Sequence, residues 1–553
     1  MTKSNTFGLS LRRCAAARVI LFSALLSSTT FAARVERLID TWRPTHYLVN
    51  ITLNDQLSEI ASASARIYLT IVKPTREIDV DFGDLTVDRV ILNGNSSTFL
   101  RRDGKLHFDL PQAASPGDVY IIEVFYHGKP KDGLILTNDK DGKPAAIGDN
   151  WPDRVHHWIP VLDHPSAKAT VTFNITAAAG QEVIANGRLD HVETTASGQR
   201  TWTYSEAVPI PPYCMIIGVG QFAKVESAQR ALTPLSYYVP VSERALAQKG
   251  FSPAIPTIEF FTEKVAAYPY EKLALIVGAT RYGGMENSGA IVFTSSLFNS
   301  NATVDMSKTY GIPFGNVTLI AHEIAHQWFG DSVTESTWSD LWLSEGFATY
   351  FAGLFVQRYE SEEAFQRYMR DASTSVFEYE KKKRVPIFDR DTESLMDLLN
   401  PNNYQKGAWV LHMLRSNLGD DAFFRGIRSY YESHKNSVAS TEDLRAALEK
   451  ASGKDLRAFF TRWVYETGHP QYKLKWFWLG KKELRVVLTQ TQPGNAFVDP
   501  IHLTISTARG KRDVVLKPTG KLFIERIPLR DSPTKLILDP NNQLLDESAI
   551  KRG

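Results

Sequence analysis

The chain has 553 residues, 43% of them hydrophobic and 22% charged, with a formal net charge of +2. That is the balance of a folded globular protein, and the chain is too long for one hydrophobic core, so several domains are expected. Near-neutral charge excludes the electrostatic footprint of a nucleic-acid or membrane-surface binder.

At the N-terminus, Arg12, Arg13 and Arg18 precede a short apolar stretch from Val19 to Leu26, and Thr30-Phe31-Ala32 offers small residues for cleavage. This reads as a secretory signal over residues 1–32, so export to the periplasm or the exterior is expected. The apolar stretch is too short to span a bilayer comfortably, and no other long apolar run follows. After signal cleavage no stable membrane insertion is expected. Cys14 falls in the signal, which leaves Cys214 with no intramolecular disulfide partner. Its apolar setting, Pro211 to Ile216, suits a buried small hydrophobe.

Residues 33–230 carry a period of two. Tyr47, Val49, Ile51 and Leu53 alternate with polar residues, as do Ala63, Ala65, Ile67 and Leu69, and then Tyr120, Ile122, Val124 and Tyr126. Turn signals at Asn93-Gly94 and Pro116-Gly117 divide these runs, so an N-terminal β domain, a sandwich or saddle, is expected. Near residue 231 the pattern changes. A strand-like segment (Leu235 to Pro240) and a buried strand at 273–277 lead into helical periodicity from about 316 to 466. Residues 231–468 form the second expected domain, and within it Ser440-x-x-Asp443 resembles a capping box. Residues 469–553 return to period two through Leu484, Val486, Leu488, Leu536 and Leu538, a small C-terminal β domain.

The chemistry is concentrated in His322-Glu323-Ile324-Ala325-His326. Imidazoles at i and i+4 share one helix face and can point at one ion. Glu345, in the helical run opened by Asp340-Leu341-Trp342-Leu343, adds a carboxylate. Two His and one carboxylate are the ligand set of a catalytic zinc, one ion per chain, with the fourth position left to water. Glu323 stands beside the first ligand, where it can take a proton from that water. Val317, Leu319, Ile320, Ile324, Trp328 and Phe329 supply an apolar stripe, with Gly330 as the stop. The bland alternative is a buried helix with two satisfied histidines, but a Glu among apolar neighbours is costly to bury without a task.

Further strings fall into order around this motif: Gly283-Gly284-Met285-Glu286-Asn287 before it, Trp338 to Tyr350 across Glu345, then Tyr404-Gln405-Lys406-Gly407-Ala408, and a closing Trp463 with Gly468-His469-Pro470. Together they resemble the zinc metallo-aminopeptidases of the aminopeptidase N type, which include the leukotriene-hydrolase branch, over about residues 40 to 550. The resemblance implies an α+β multidomain architecture: an N-terminal β-saddle, a thermolysin-like, mainly helical catalytic domain and a small C-terminal β-sandwich. Many members add a large C-terminal helical domain over the active site. The expectation for this chain is no such domain and a more open cleft.

The resemblance also implies roles. Tyr404 looks like the tyrosine that donates to the oxyanion of the transition state. Glu286 would grip the α-ammonium of a peptide with a free N-terminus. Gly283 and Gly284 would let peptide backbone approach, with Met285 and Asn287 completing the substrate segment. Some positions depart from the pattern. Gly284 stands where Ala is common, and Ser288 where Trp is common. Ala352 stands where many members carry a glutamate near the metal, which leaves Asp331 and Asp340 as candidates to orient the histidines. Residues 148–165 offer no clear equivalent of the glutamine usual near the substrate amine. The sum is a zinc aminopeptidase. Alternatives are a zinc endopeptidase or a lipid-epoxide hydrolase on the same site, or an inactive binding scaffold. The scaffold is disfavoured because His322, Glu323, His326, Glu345 and Tyr404 are all kept.

Overall fold

The computed structural model describes residues 40–229, 231–298, 305–480 and 482–553. The expected signal, 1–32, lies outside the described residues.

The N-terminal part is built on an eight-stranded sheet. Its centre is strand Trp42–Leu53, antiparallel to Ile60–Ile71 and parallel to Ala169–Ala177. The period-two residues Tyr47, Val49, Ile51 and Leu53 are all buried, as a half-buried pleat requires. Two smaller sheets, of four and three strands, share the same core.

A five-stranded sheet opens the middle part, in the order Phe222–Glu226, Leu235–Pro240, Leu273–Gly278, Ala290–Thr294, Gly284–Met285. Every residue of Leu273–Gly278 is buried, which accounts for its unbroken apolar run. The sheet starts at Phe222, upstream of the change of pattern at 231, because Phe222–Glu226 pairs as a hairpin with Leu235–Pro240. At the opposite side Gly284–Met285 is an edge strand, antiparallel to Ala290–Thr294. The helices Phe314–His326 and Trp342–Tyr359 pack together beside it. Trp342–Tyr359 is buried on all sides from Trp342 to Val356, so it runs through the middle of the helical layer. The capping box forms at Ser440 and Asp443, with both reciprocal bonds, at the start of helix Thr441–Ser452.

After Gln471 a four-stranded and a three-stranded sheet share a core of Leu474, Leu484, Val486, Leu488, Leu503 and Leu536, among others. That core is continuous with that of the middle part. No helix among the described residues is long and apolar enough to cross a membrane.

Candidate active site

Helix Phe314–His326 presents His322 and His326 one turn apart, and helix Trp342–Tyr359 delivers Glu345 from its first turn. His322 Nε2 and His326 Nε2 are 3.1 Å apart. Glu345 Oε2 lies 3.2 Å from the first and 3.3 Å from the second. Donors about 2.0–2.1 Å from one tetrahedral ion stand about 3.3 Å from each other, so the three fit a single zinc-sized cation.

His326 is not turned by either aspartate that the sequence offers. His326 Nδ1 faces the Phe329 carbonyl at 3.1 Å and Ser344 Oγ at 3.0 Å, which leaves Nε2 for the metal position. Asp331 instead accepts from the Gln327 amide (2.8 Å) and the Cys214 thiol (3.3 Å). Asp340 accepts from the backbone N–H and hydroxyl of Thr441. Neither aspartate orients a metal-facing imidazole. Gly330, at φ +122°, allows the arrangement: a Cβ there would stand 2.4 Å from Ser344 Oγ and 3.1 Å from His326 Nδ1.

Tyr404 sits on a π-turn, Asn402–Lys406, that leads into helix Gly407–Leu418. The turn lies against Trp342–Tyr359 because Gly346 and Gly407 meet backbone to backbone; a Cβ on Gly346 would lie 2.9 Å from the Gly407 Cα. That contact lets the Tyr404 hydroxyl donate to Glu345 Oε1 at 2.7 Å.

Glu286 and Glu323 converge with His326, their ligating atoms all within 4.8 Å of one another. Gly284 makes room for this. A Cβ there would come 2.4 Å from the Glu323 carboxyl, whereas one on Gly283 would meet Leu319 at an ordinary 3.4 Å. Met285 lines the cavity; Asn287, expected at the substrate, is fully buried outside it and donates to the Met285 carbonyl at 3.4 Å. Gln327 escaped the sequence reading. Its buried amide donates to the Glu286 carbonyl (2.9 Å) and Asp331 (2.8 Å) and accepts from Gly289 N–H (2.8 Å) and the Tyr268 hydroxyl (3.0 Å). It thereby ties the Glu286 segment to the metal-facing helix. Its position next to His326 was the only signal.

These groups surround a cavity of about 530 Å³. Trp151, from the N-terminal part, and Tyr282 wall one side, with ring centroids 6.2 Å apart and nearly perpendicular. Residues 148–165 thus bring an indole, that of Trp151, to the cavity wall. No Lys or Arg is among the lining residues.

Burial pushes Glu286 up to about 7, opposed by the charge of His326 and reinforced by that of Glu345. Burial also holds Glu323 well above the usual carboxylate range. For Glu345 burial works upward, but the charge of His326 and hydrogen bonds from both imidazoles outweigh it and lower the carboxyl. His322 is lowered by burial. In His326 burial works downward and is overcome by Glu345 and Glu286, so this imidazole is raised. Burial, then Glu345, raises the Tyr404 phenol. Three carboxyls around two imidazoles leave more acidic than basic groups among these buried side chains, a condition a divalent cation relieves.

Two imidazoles and a carboxylate beside an edge strand, with the Glu323 carboxyl next to them, form a candidate site for one divalent cation. The chain matches the peptidase M1 N-terminal domain over residues 43–214 and the peptidase family M1 domain over residues 251–463, and it belongs to the M1 peptidase family. It is 29% identical to Aminopeptidase M1-A of Oryza sativa subsp. japonica, over 66% of this chain and 41% of that protein. It is 27% identical to Tricorn protease-interacting factor F2 of Thermoplasma acidophilum, over 81% and 56%. It is 26% identical to Glutamyl aminopeptidase of Rattus norvegicus, over 65% and 39%. The chain spans about half the length of the curated relatives it matches.

Proposed function

We propose that this chain is a zinc-dependent aminopeptidase that hydrolyses the first bond of peptides with a free N-terminus. The observation that carries the reading is the meeting, in one cavity, of the His322–His326–Glu345 donor set, the unpaired carboxyl of Glu323, Glu286 beside the edge strand and the Tyr404 hydroxyl. The names of the relatives support it.

A zinc ion on those three donors would polarise the scissile carbonyl and acidify water toward a pKa of ~7. Glu323, desolvated and raised, takes a proton and passes it to the leaving amine. Glu286 receives the substrate ammonium, whose own pKa is ~7.7–8.0, in a charge-assisted hydrogen bond that fixes how many residues precede the cut. Edge strand Gly284–Met285 offers main-chain partners for the peptide to add as a further strand. Tyr404 turns its hydroxyl from Glu345 to the developing oxyanion, a donor on the scale of ~3 kcal/mol. With three carboxyls and no Lys or Arg in the lining, and with Trp151, Tyr282 and Leu399 as walls, the cavity favours apolar or cationic first residues over acidic ones.

The test is a panel of aminoacyl amide reporters, with and without a chelator, and with the amine acetylated. The expected result is cleavage that the chelator removes, zinc restores and acetylation abolishes, weakest for Asp and Glu reporters. Efficient cutting of acetylated peptides would make the protein an endopeptidase. Opening of a lipid epoxide without peptide cleavage would make it an epoxide hydrolase. Metal analysis without zinc would leave a scaffold.

A further inference from the structure

The Gly468-His469-Pro470 string and the lysine after Tyr404 have no part in the chemistry above, yet they meet in the interior. Lys406 ends the π-turn that carries Tyr404, and its side chain has 0% exposure. Its ammonium donates to Glu380 Oε1 at 2.7 Å and to the Gly468 carbonyl at 3.0 Å. Glu380 is the last residue of helix Glu362–Glu380, and its other oxygen lies 2.6 Å from His469 Nδ1. His469 Nε2 is 3.1 Å from Glu547, whose carboxylate also accepts from the Gln471 amide at 2.9 Å. Gln471 and Glu547 open the adjacent parallel strands Gln471–Trp478 and Glu547–Arg552 of the C-terminal β part. Gly468 has φ +90°, and a Cβ there would meet the Arg384 guanidinium at 2.9 Å.

A fully desolvated ammonium is an expensive way to anchor a turn, and apolar packing would do it at lower cost. What charge adds is a single permitted geometry. The turn needs one. Its Lys406 N–H bonds back to the Pro401 carbonyl across a π register, which a small relaxation would convert to an ordinary helical turn. That relaxation would swing Tyr404 away from Glu345. The Asn402 and Asn403 amides hold the start of the turn on the Val385 and Leu398 carbonyls, both at 2.8 Å, while Tyr404 on Glu345 and Lys406 on Glu380 hold its middle and its last residue.

We propose that Lys406, Glu380 and His469 are positioning residues, a buried relay through which the C-terminal β part holds the Tyr404 hydroxyl in register with the metal-facing side chains. The proposal rests on the aminopeptidase reading for its kinetic consequence, though not for its geometric one.

The experiment is a double-mutant cycle on the full-length, zinc-loaded protein: Tyr404→Phe, Lys406→Met and the pair, with kcat, KM, zinc content and thermal midpoint read for each. Lys406→Met should lower kcat about 10- to 100-fold with KM and zinc content nearly unchanged, the scale expected of a misplacement by about an ångström. The double variant should be no slower than Tyr404→Phe alone within about twofold, because Lys406 acts through that hydroxyl. Losses that multiply, or an unchanged kcat, would overturn the relay. Should Lys406→Met fail to fold, Glu547→Gln at the half-exposed end of the relay takes its place in the same cycle, with a smaller loss expected and the same criterion. A crystal structure of the folding variant reads the geometry directly: the 2.7 Å contact between Tyr404 and Glu345 should open. Its retention condemns the relay even if wild type is active. Absence of wild-type cleavage condemns the aminopeptidase reading alone.

Discussion

Two buried clusters of charge lie on either side of Tyr404 and are built on opposite plans. In Lys406–Glu380–His469 each charge meets a counter-charge or hydrogen-bond partner at 2.6–3.0 Å. Burial works to raise the Glu380 carboxyl, but the His469 hydrogen bond and the Lys406 charge pull it down to about 2. Around the metal position, Glu286, Glu323 and Glu345 share two imidazoles; Glu345 wins both, and the other two carboxyls are pushed upward. A matched cluster has one arrangement and keeps it. An unmatched one retains protons and affinity for cations, which are what a reaction uses. The contrast says that burial alone does not separate structural from reactive charge; the completeness of pairing does.

The sharpest way to break that contrast is Glu323→Gln. If the unmatched carboxyl is the base, kcat should fall about 10³- to 10⁴-fold while metal analysis still finds one zinc per chain. Retained turnover would strip the unmatched cluster of its role. A weaker effect tests the matched cluster through pH. Glu380 sits at about 2 in the folded chain against an ordinary 4.5, so its stabilisation is complete above pH 4.5 and is lost as pH falls from 4.5 toward 2. Between pH 5 and pH 2, wild type should lose about 3 kcal/mol more stability in denaturant titrations than Glu380→Gln does. Equal losses would show that the pairing contributes nothing. The smallest expected change comes from Gly346→Ala, which pushes a methyl against Gly407 between the two clusters. A cost of about 1–3 kcal/mol in stability is expected from overpacking. A fall in kcat at unchanged zinc content should accompany it, since the helix crossing sets the Tyr404–Glu345 contact.

The meeting of the side chains around the metal position was largely legible in the sequence because its logic is local. His322, Glu323 and His326 share one helical turn, and Glu345 opens the next long helix. Period two marked the strands, and the capping box at Ser440 is a four-residue signal. The matched cluster was not legible. Glu380, Lys406 and His469 are brought together by tertiary packing, and no periodicity relates them. The same reason explains the orienting groups. Whether Asp331 or Ser344 faces His326 depends on the turn that Gly330 makes at positive φ, which a list of nearby polar residues does not reveal. Gln327 and the buried placement of Asn287 likewise follow from the way the edge strand folds back on the helix. The change of pattern at 231 missed Phe222–Glu226, whose alternation is the same whichever sheet it joins.

Cys214 has 0% exposure and its sulfur rests 3.3 Å from Asp331, behind the helix that carries the histidines. Burial, with Asp331 adding to it, raises the thiol well above its ordinary range. With no exposed surface, the thiol should meet an alkylating reagent only when the seam between the N-terminal part and the helix of His322 and His326 opens. The rate of labelling is therefore a clock for that opening. While the molecule stays shut, oxidants and reductants should pass it by without altering turnover.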